Sequence, residues 1–215
     1  MSIKWMKSEE IEKEANNLLK SYEKNFNQVL NEEVPLEKMA EFHLDLFFDY
    51  DKPKNLNLKK NTLGAIFPDG KIFINELLVN KGSSEGRFRF TLAHEIGHWI
   101  LHQDILNGNS TKDRISSLFR KGNVISNKEG RTILCRKGDT SGAEWQANKF
   151  AAYLLMPSYL VIPLFDELRK KHENTKGSLQ SKITFEIANI FNTSIEATKI
   201  HLKQLNLNAR QLKLF

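Results

Sequence analysis

The sequence predicts an α+β domain over residues 1–165, followed by a linker and a small helical module over residues 166–215. Three observations carry that expectation. Apolar residues recur at helical spacing towards both ends of the first stretch, alternation of period two appears between Leu44 and Asn75, and two short apolar helices joined by a polar turn close the chain. A length of 215 residues suits one buried core and a small appendage.

Taken in order, Ile11, Ala15, Leu18, Leu19, Tyr22 and Phe26 form one face of an opening helix, with Ser8 as its N-cap. Pro35 suits the first turn of a second helix carrying Leu36, Met39, Ala40 and His43. Leu44, Leu46, Phe48 and Tyr50 alternate as in a strand, and residues 63–67 and 71–75 flank Pro68-Asp69-Gly70 as a hairpin. Phe88, Leu92, Ile96, Trp99 and Ile100 return to helical spacing. Residues 107–142 are polar, basic and punctuated by glycine, with one short helix suggested by Ile115, Leu118 and Phe119. A helix over 143–155 stops at Met156-Pro157, because the residue before proline is pushed out of helical geometry. Beyond Pro163 the lysine-rich stretch through Lys170, Lys171, Lys176 and Gly177 reads as a linker following a helical turn or two. Residues 183–206 then read as a helix-turn-helix unit, hinged at Asn192-Thr193-Ser194.

Composition narrows the function. No run of about 18 apolar residues is present, and the first residues are charged rather than signal-like, which predicts a cytoplasmic protein without a membrane partner. The lone Cys135 permits no intrachain disulfide and rules out a metal site of several thiolates, so any metal is held by His and carboxylate. Net charge is +6, and residues 112–137 alone hold eight basic residues against Asp113 and Glu129. Such a run is read as a solvated loop, with contact to nucleic acid or an acidic partner as the alternative.

The chemistry centres on His94-Glu95-Ile96-Gly97-His98. Two histidines four apart on a helix point the same way, one turn apart, as two neighbouring positions of a tetrahedral zinc site require. Glu95 lies beside the metal position as a general base. A catalytic zinc keeps three protein ligands and an open position, so a third ligand is needed. His102 is one turn too far along a straight helix and reads as a packed residue or as one that supports a ligand from behind. Glu144 is the better choice. It shares a helical face with Ala147, Asn148 and Ala151, and the small alanines let that helix approach closely, while Asn148 can orient a ligand imidazole. Tyr153 reads as core. Cys135 reads as an unreactive thiol, with capping of the zinc as the alternative.

The segments 89–98, Arg-Phe-Thr-Leu-Ala-His-Glu-Ile-Gly-His, and 144–157, Glu-Trp-Gln-Ala-Asn-Lys-Phe-Ala-Ala-Tyr-Leu-Leu-Met-Pro, resemble the ImmA/IrrE family of metallo-endopeptidases. The resemblance runs from the first helix to about Pro163. It implies a zincin-like fold, Zn2+ held by His94, His98 and Glu144, and Glu95 as general base. It also implies a protein substrate, a helix-turn-helix repressor cleaved to derepress mobile-element or stress genes. The 45 residues between His98 and Glu144 exceed the simplest family pattern. In this reading the strand 71–75 offers an edge to an extended substrate. Two alternatives stand beside it: a DNA-binding regulator with a zincin-like sensor domain, and a non-catalytic partner protein. Ile195 and Glu196 are poor leading residues for a DNA-reading helix, so nucleic acid is not favoured.

Overall fold

The computed structural model describes residues 5–56, 58–80, 85–106, 124–126, 132–135, 142–174 and 177–209. Helix α1 (Ser8–Phe26) buries Ile11, Ala15, Leu18, Leu19 and Tyr22 along one stripe. Its cap is Lys7, not Ser8: the Lys7 N–H donates to the Glu10 carboxylate at 2.7 Å, and Ser8 is already helical. Asn27, left-handed at φ 47°, closes the other end. Helix α2 (Leu36–Phe42) follows Pro35. Strand β1 (Phe47–Asp51) begins later than the alternation from Leu44 suggested, because Asp45 takes φ 54° and breaks the extended chain.

The hairpin is present. Strands β2 (Gly64–Ile66) and β3 (Lys71–Asn75) are antiparallel with Ala65 opposite Phe73, and Gly70 takes φ 85° in the turn, where a side chain would be strained. Among the described residues, strands β4 (Val124–Ser126) and β5 (Thr132–Cys135) complete a five-stranded sheet of order β1-β3-β2-β5-β4, in which only β1 and β3 run parallel. The expectation that β3 offers a free edge is overturned, since β1 and β2 occupy both of its flanks; the edges are β1 and β4. Two strands therefore lie in a region read as loop. Their signal is brief, the β-branched pairs Val124-Ile125 and Thr132-Ile133. The short helix expected near Leu118 falls outside the described residues.

Helix α3 (Glu85–Leu101) crosses against β2, and a short α4 (Gln103–Leu106) follows His102. Helix α5 (Gly142–Leu155) packs against α3 on one side and α1 on the other. Phe150, Ala151, Leu154 and Leu155 are fully buried in this layer. Burial of each large side chain contributes about 1.5–3 kcal/mol, so α5 is a central structural helix as well as a ligand-bearing one.

Helix α6 (Ser158–Lys171) runs through the position where a linker was expected. Phe165 and Leu168 are buried on its inner face, while Pro163 lies on the exposed face. Helices α7 (Leu179–Ile190) and α8 (Ile195–Gln204) form the final pair, each capped by a serine, Ser178 and Ser194. The pair is seated on the rest of the protein. His201 donates its Nε2–H to the Met156 carbonyl at 2.9 Å and meets the Tyr153 ring edge-on, and Asn192 donates to Glu33 and Glu85. No single helix among the described residues is long and apolar enough to cross a membrane; α5 and α6 together satisfy length and composition, but they are bent by 59° and α5 is core.

Candidate metal centre

The seam between α3 and α5 is narrow because its residues are small. A Cβ on Gly97 would stand 3.1 Å from Phe150 Cδ1 and 3.3 Å from the Ala147 backbone, so the two helices nearly touch there. That approach brings Glu144, in the first turn of α5, to the histidines of α3. His94, Glu95, His98 and Glu144 are all fully buried. His94 Nε2 lies 3.0 Å from His98 Nε2, and the two nitrogens lie 3.3 and 3.1 Å from the Glu144 carboxylate oxygens.

The outer hydrogen bonds determine what these atoms present to one another. The Asn148 carbonyl oxygen lies 3.1 Å from His94 Nδ1 and can only accept, so His94 carries its proton on Nδ1 and leaves Nε2 bare. On the other side, His102 Nε2 lies 3.3 Å from Gln146 Oε1 and His102 Nδ1 lies 3.0 Å from His98 Nδ1. Burial and the neighbouring His98 pull the His102 pKa down to about 3, so this ring is neutral. It donates through Nε2 to Gln146 and accepts through Nδ1 from His98, which leaves His98 Nε2 bare as well. Burial raises the Glu144 pKa, and His98 and His94 lower it only while a ring proton faces the carboxylate; with both inner nitrogens bare, that role passes to a cation among the three.

Two bare ring nitrogens and a carboxylate therefore converge in a dry space. Such lone pairs repel each other unless a cation stands among them. Neighbouring donors of a tetrahedral zinc site, with Zn–N of about 2.0–2.1 Å, stand about 3.3 Å apart, within a few tenths of an ångström of the separations here. The three side chains fit a divalent metal, and they are the described His/Cys/Asp/Glu group that can hold one. Two imidazole nitrogens and one carboxylate suit a divalent transition metal such as zinc or iron.

Glu95, next to His94 on α3, packs against β2. A Cβ on Gly64 would fall 2.6 Å from Glu95 Oε1 and 2.7 Å from Thr91 Cγ2, so only glycine leaves room for the carboxylate. His102 lies outside the donor set and acts through His98. Tyr153 is buried in the core. Cys135 belongs to β5, opposite Ala65 in register. Gln146 and Gly64 were not singled out from sequence. Gln146 is two residues from Glu144 on the same helix, and Gly64 opens a strand where any residue type is plausible without knowing what faces it.

The fold and this donor set are those of a zincin-like, metallopeptidase-like domain. Residues 52–120 match the model of the peptidase family described as IrrE N-terminal-like domain, a match consistent with the ImmA/IrrE family. The matched stretch holds Gly64, His94, Glu95 and His98, whereas Glu144 and Asn148 lie beyond it. No curated protein matches the chain. Among solved structures, a Mycobacterium tuberculosis transcriptional regulator is similar at 13% identity with a TM-score of 0.45. The likeness covers 91% of this chain and 51% of that one, so this chain spans about half its length.

Proposed function

We propose that the protein is a cytoplasmic zinc endopeptidase that cleaves a helix-turn-helix transcriptional repressor. The observation that carries this reading is the convergence of His94 Nε2, His98 Nε2 and the Glu144 carboxylate, with their outer nitrogens committed to Asn148 and His102. A zinc ion held by these three would supply Lewis acidity to the scissile carbonyl and to a water. Glu95 is the proton carrier: it takes a proton from the attacking water and returns it to the leaving amine, bond cleavage being balanced by addition of one water. Its full burial strengthens each of these interactions. Asn148 and the His102–Gln146 pair keep the ligand imidazoles in the tautomer that faces the metal.

The final helix pair supports protein contact over DNA reading. Thr198, His201 and Leu202 of α8 are buried against the peptidase domain, and Thr193 and Ser194 are engaged with Thr198 and the Ala197 N–H. The test is incubation of the zinc-loaded protein with a helix-turn-helix repressor encoded beside it, read by mass spectrometry. Wild type is expected to cut at one position, and Glu95→Gln to retain zinc and lose the cut. Equal cutting by Glu95→Gln, or none by the zinc-loaded wild type, removes the proposal.

A further inference from the structure

A groove of about 630 Å³ lies where the N-terminal half of α3, the outer face of α5 and the first turns of α8 meet. That size falls within the range of about 300–1,000 Å³ typical of small-ligand sites. Phe90, Trp145, Ala152, Ala197 and Ile200 supply an apolar wall. Arg87 and Lys149 stand on the same wall with Glu196 as the carboxylate among them, and neither cation has an ion-pair partner among the described residues. Lys149 lies 5.7 Å over the Trp145 ring, and burial lowers its pKa, as expected of an ammonium partly stripped of water. Asn148 closes the inner end; its oxygen is committed to His94, and its amide nitrogen remains able to donate.

We propose that this groove binds a small amphipathic anion, with a flat apolar body against Phe90, Trp145 and Ile200 and one acidic group at Arg87 and Lys149. The charge decides the class. An uncharged apolar ligand would leave two cations facing a site emptied of water, whereas a carboxylate or sulfonate restores the lost hydrogen bonds with charge-assisted ones. The proposal needs the groove and not the metal, so it stands or falls apart from peptide cleavage.

The test uses the full chain and 1-anilinonaphthalene-8-sulfonate, followed by energy transfer from tryptophan, with decanoate as competitor. Saturable binding at one site, displaced by decanoate, is expected. Ile200→Glu and Lys149→Gln should each weaken it by about tenfold, the scale of one lost charge-assisted contact. Phe185→Glu, at a residue as exposed as Ile200 but outside the groove, should leave it unchanged. Each variant is compared at matched far-UV circular dichroism. Absence of saturable binding, indifference to the groove variants, or equal weakening by Phe185→Glu overturns the proposal. A concentration-dependent dimer that the probe dissociates also overturns it, by assigning the groove to a second copy.

Discussion

His94 and His98 on α3 and His201 on α8 are equally buried, yet they do opposite things with the same ring. His201 spends its Nε2–H on the Met156 carbonyl and packs against Tyr153, a contact that fastens one helix to another. His94 and His98 spend their outer nitrogens on Asn148 and His102, which leaves the inner ones bare and aimed at Glu144. Burial alone does not mark a functional histidine. The direction in which its unprotonated nitrogen points does.

The largest effect that tests this contrast is metal binding. His94→Ala or Glu144→Ala should abolish stoichiometric zinc in equilibrium dialysis, whereas His201→Gln should retain it. Chelation of the wild type should then lower its melting temperature by roughly 10 °C, since zinc at about a thousand times its dissociation constant contributes about 4 kcal/mol. A smaller loss is expected from the geometry of Glu95. Gly64→Ala should reduce peptide cleavage by about a hundredfold with zinc content unchanged, because displacement of a catalytic group by about 1 Å has that scale. Unchanged cleavage would mean that β2 yields and the carboxylate stays.

Asn148→Ala and His102→Phe should weaken zinc binding by about 10- to 100-fold, measured by competition with a chelating dye. The smallest effect belongs to His201, whose pKa is lowered from 6.5 to about 4, chiefly by burial. Between those values the unfolded chain binds a proton that the folded chain refuses. Its contribution is therefore complete above about pH 6.5 and is lost as pH falls towards 4, at up to about 1.4 kcal/mol per pH unit. Urea midpoints from pH 7 to 5 should fall more steeply for wild type than for His201→Gln, which keeps a donor for Met156. Parallel curves would show that His201 is already protonated in the fold.

The metal centre was largely legible in the sequence because helical spacing is rigid: four residues fix His94 against His98, and four more place Asn148 behind His94 once Glu144 is at the centre. The alanines that allow close approach were legible for the same reason. Sheet order was not. Strand neighbours are chosen by pairing across long stretches of chain, so the insertion of β3 between β1 and β2 and the addition of β5 beside β2 leave little local trace. Gly64 was hidden likewise, since its meaning comes from a side chain 31 positions away that only the fold brings near. The linker after Pro163 was misread because polarity was weighed over spacing, while Phe165 and Leu168 continue the buried stripe of α6.

Gly86 has a consequence for how relatives of this chain can vary. A Cβ there would meet the Ser194 backbone nitrogen at 2.6 Å and the Thr193 carbonyl carbon at 2.8 Å, so the turn between α7 and α8 rests directly on the main chain of α3. A side chain at this position and this seating of the final helices exclude one another. Related sequences are therefore expected to change the two places together, and a relative with alanine or larger at the position of Gly86 should carry its last helices in a different attitude, or carry none.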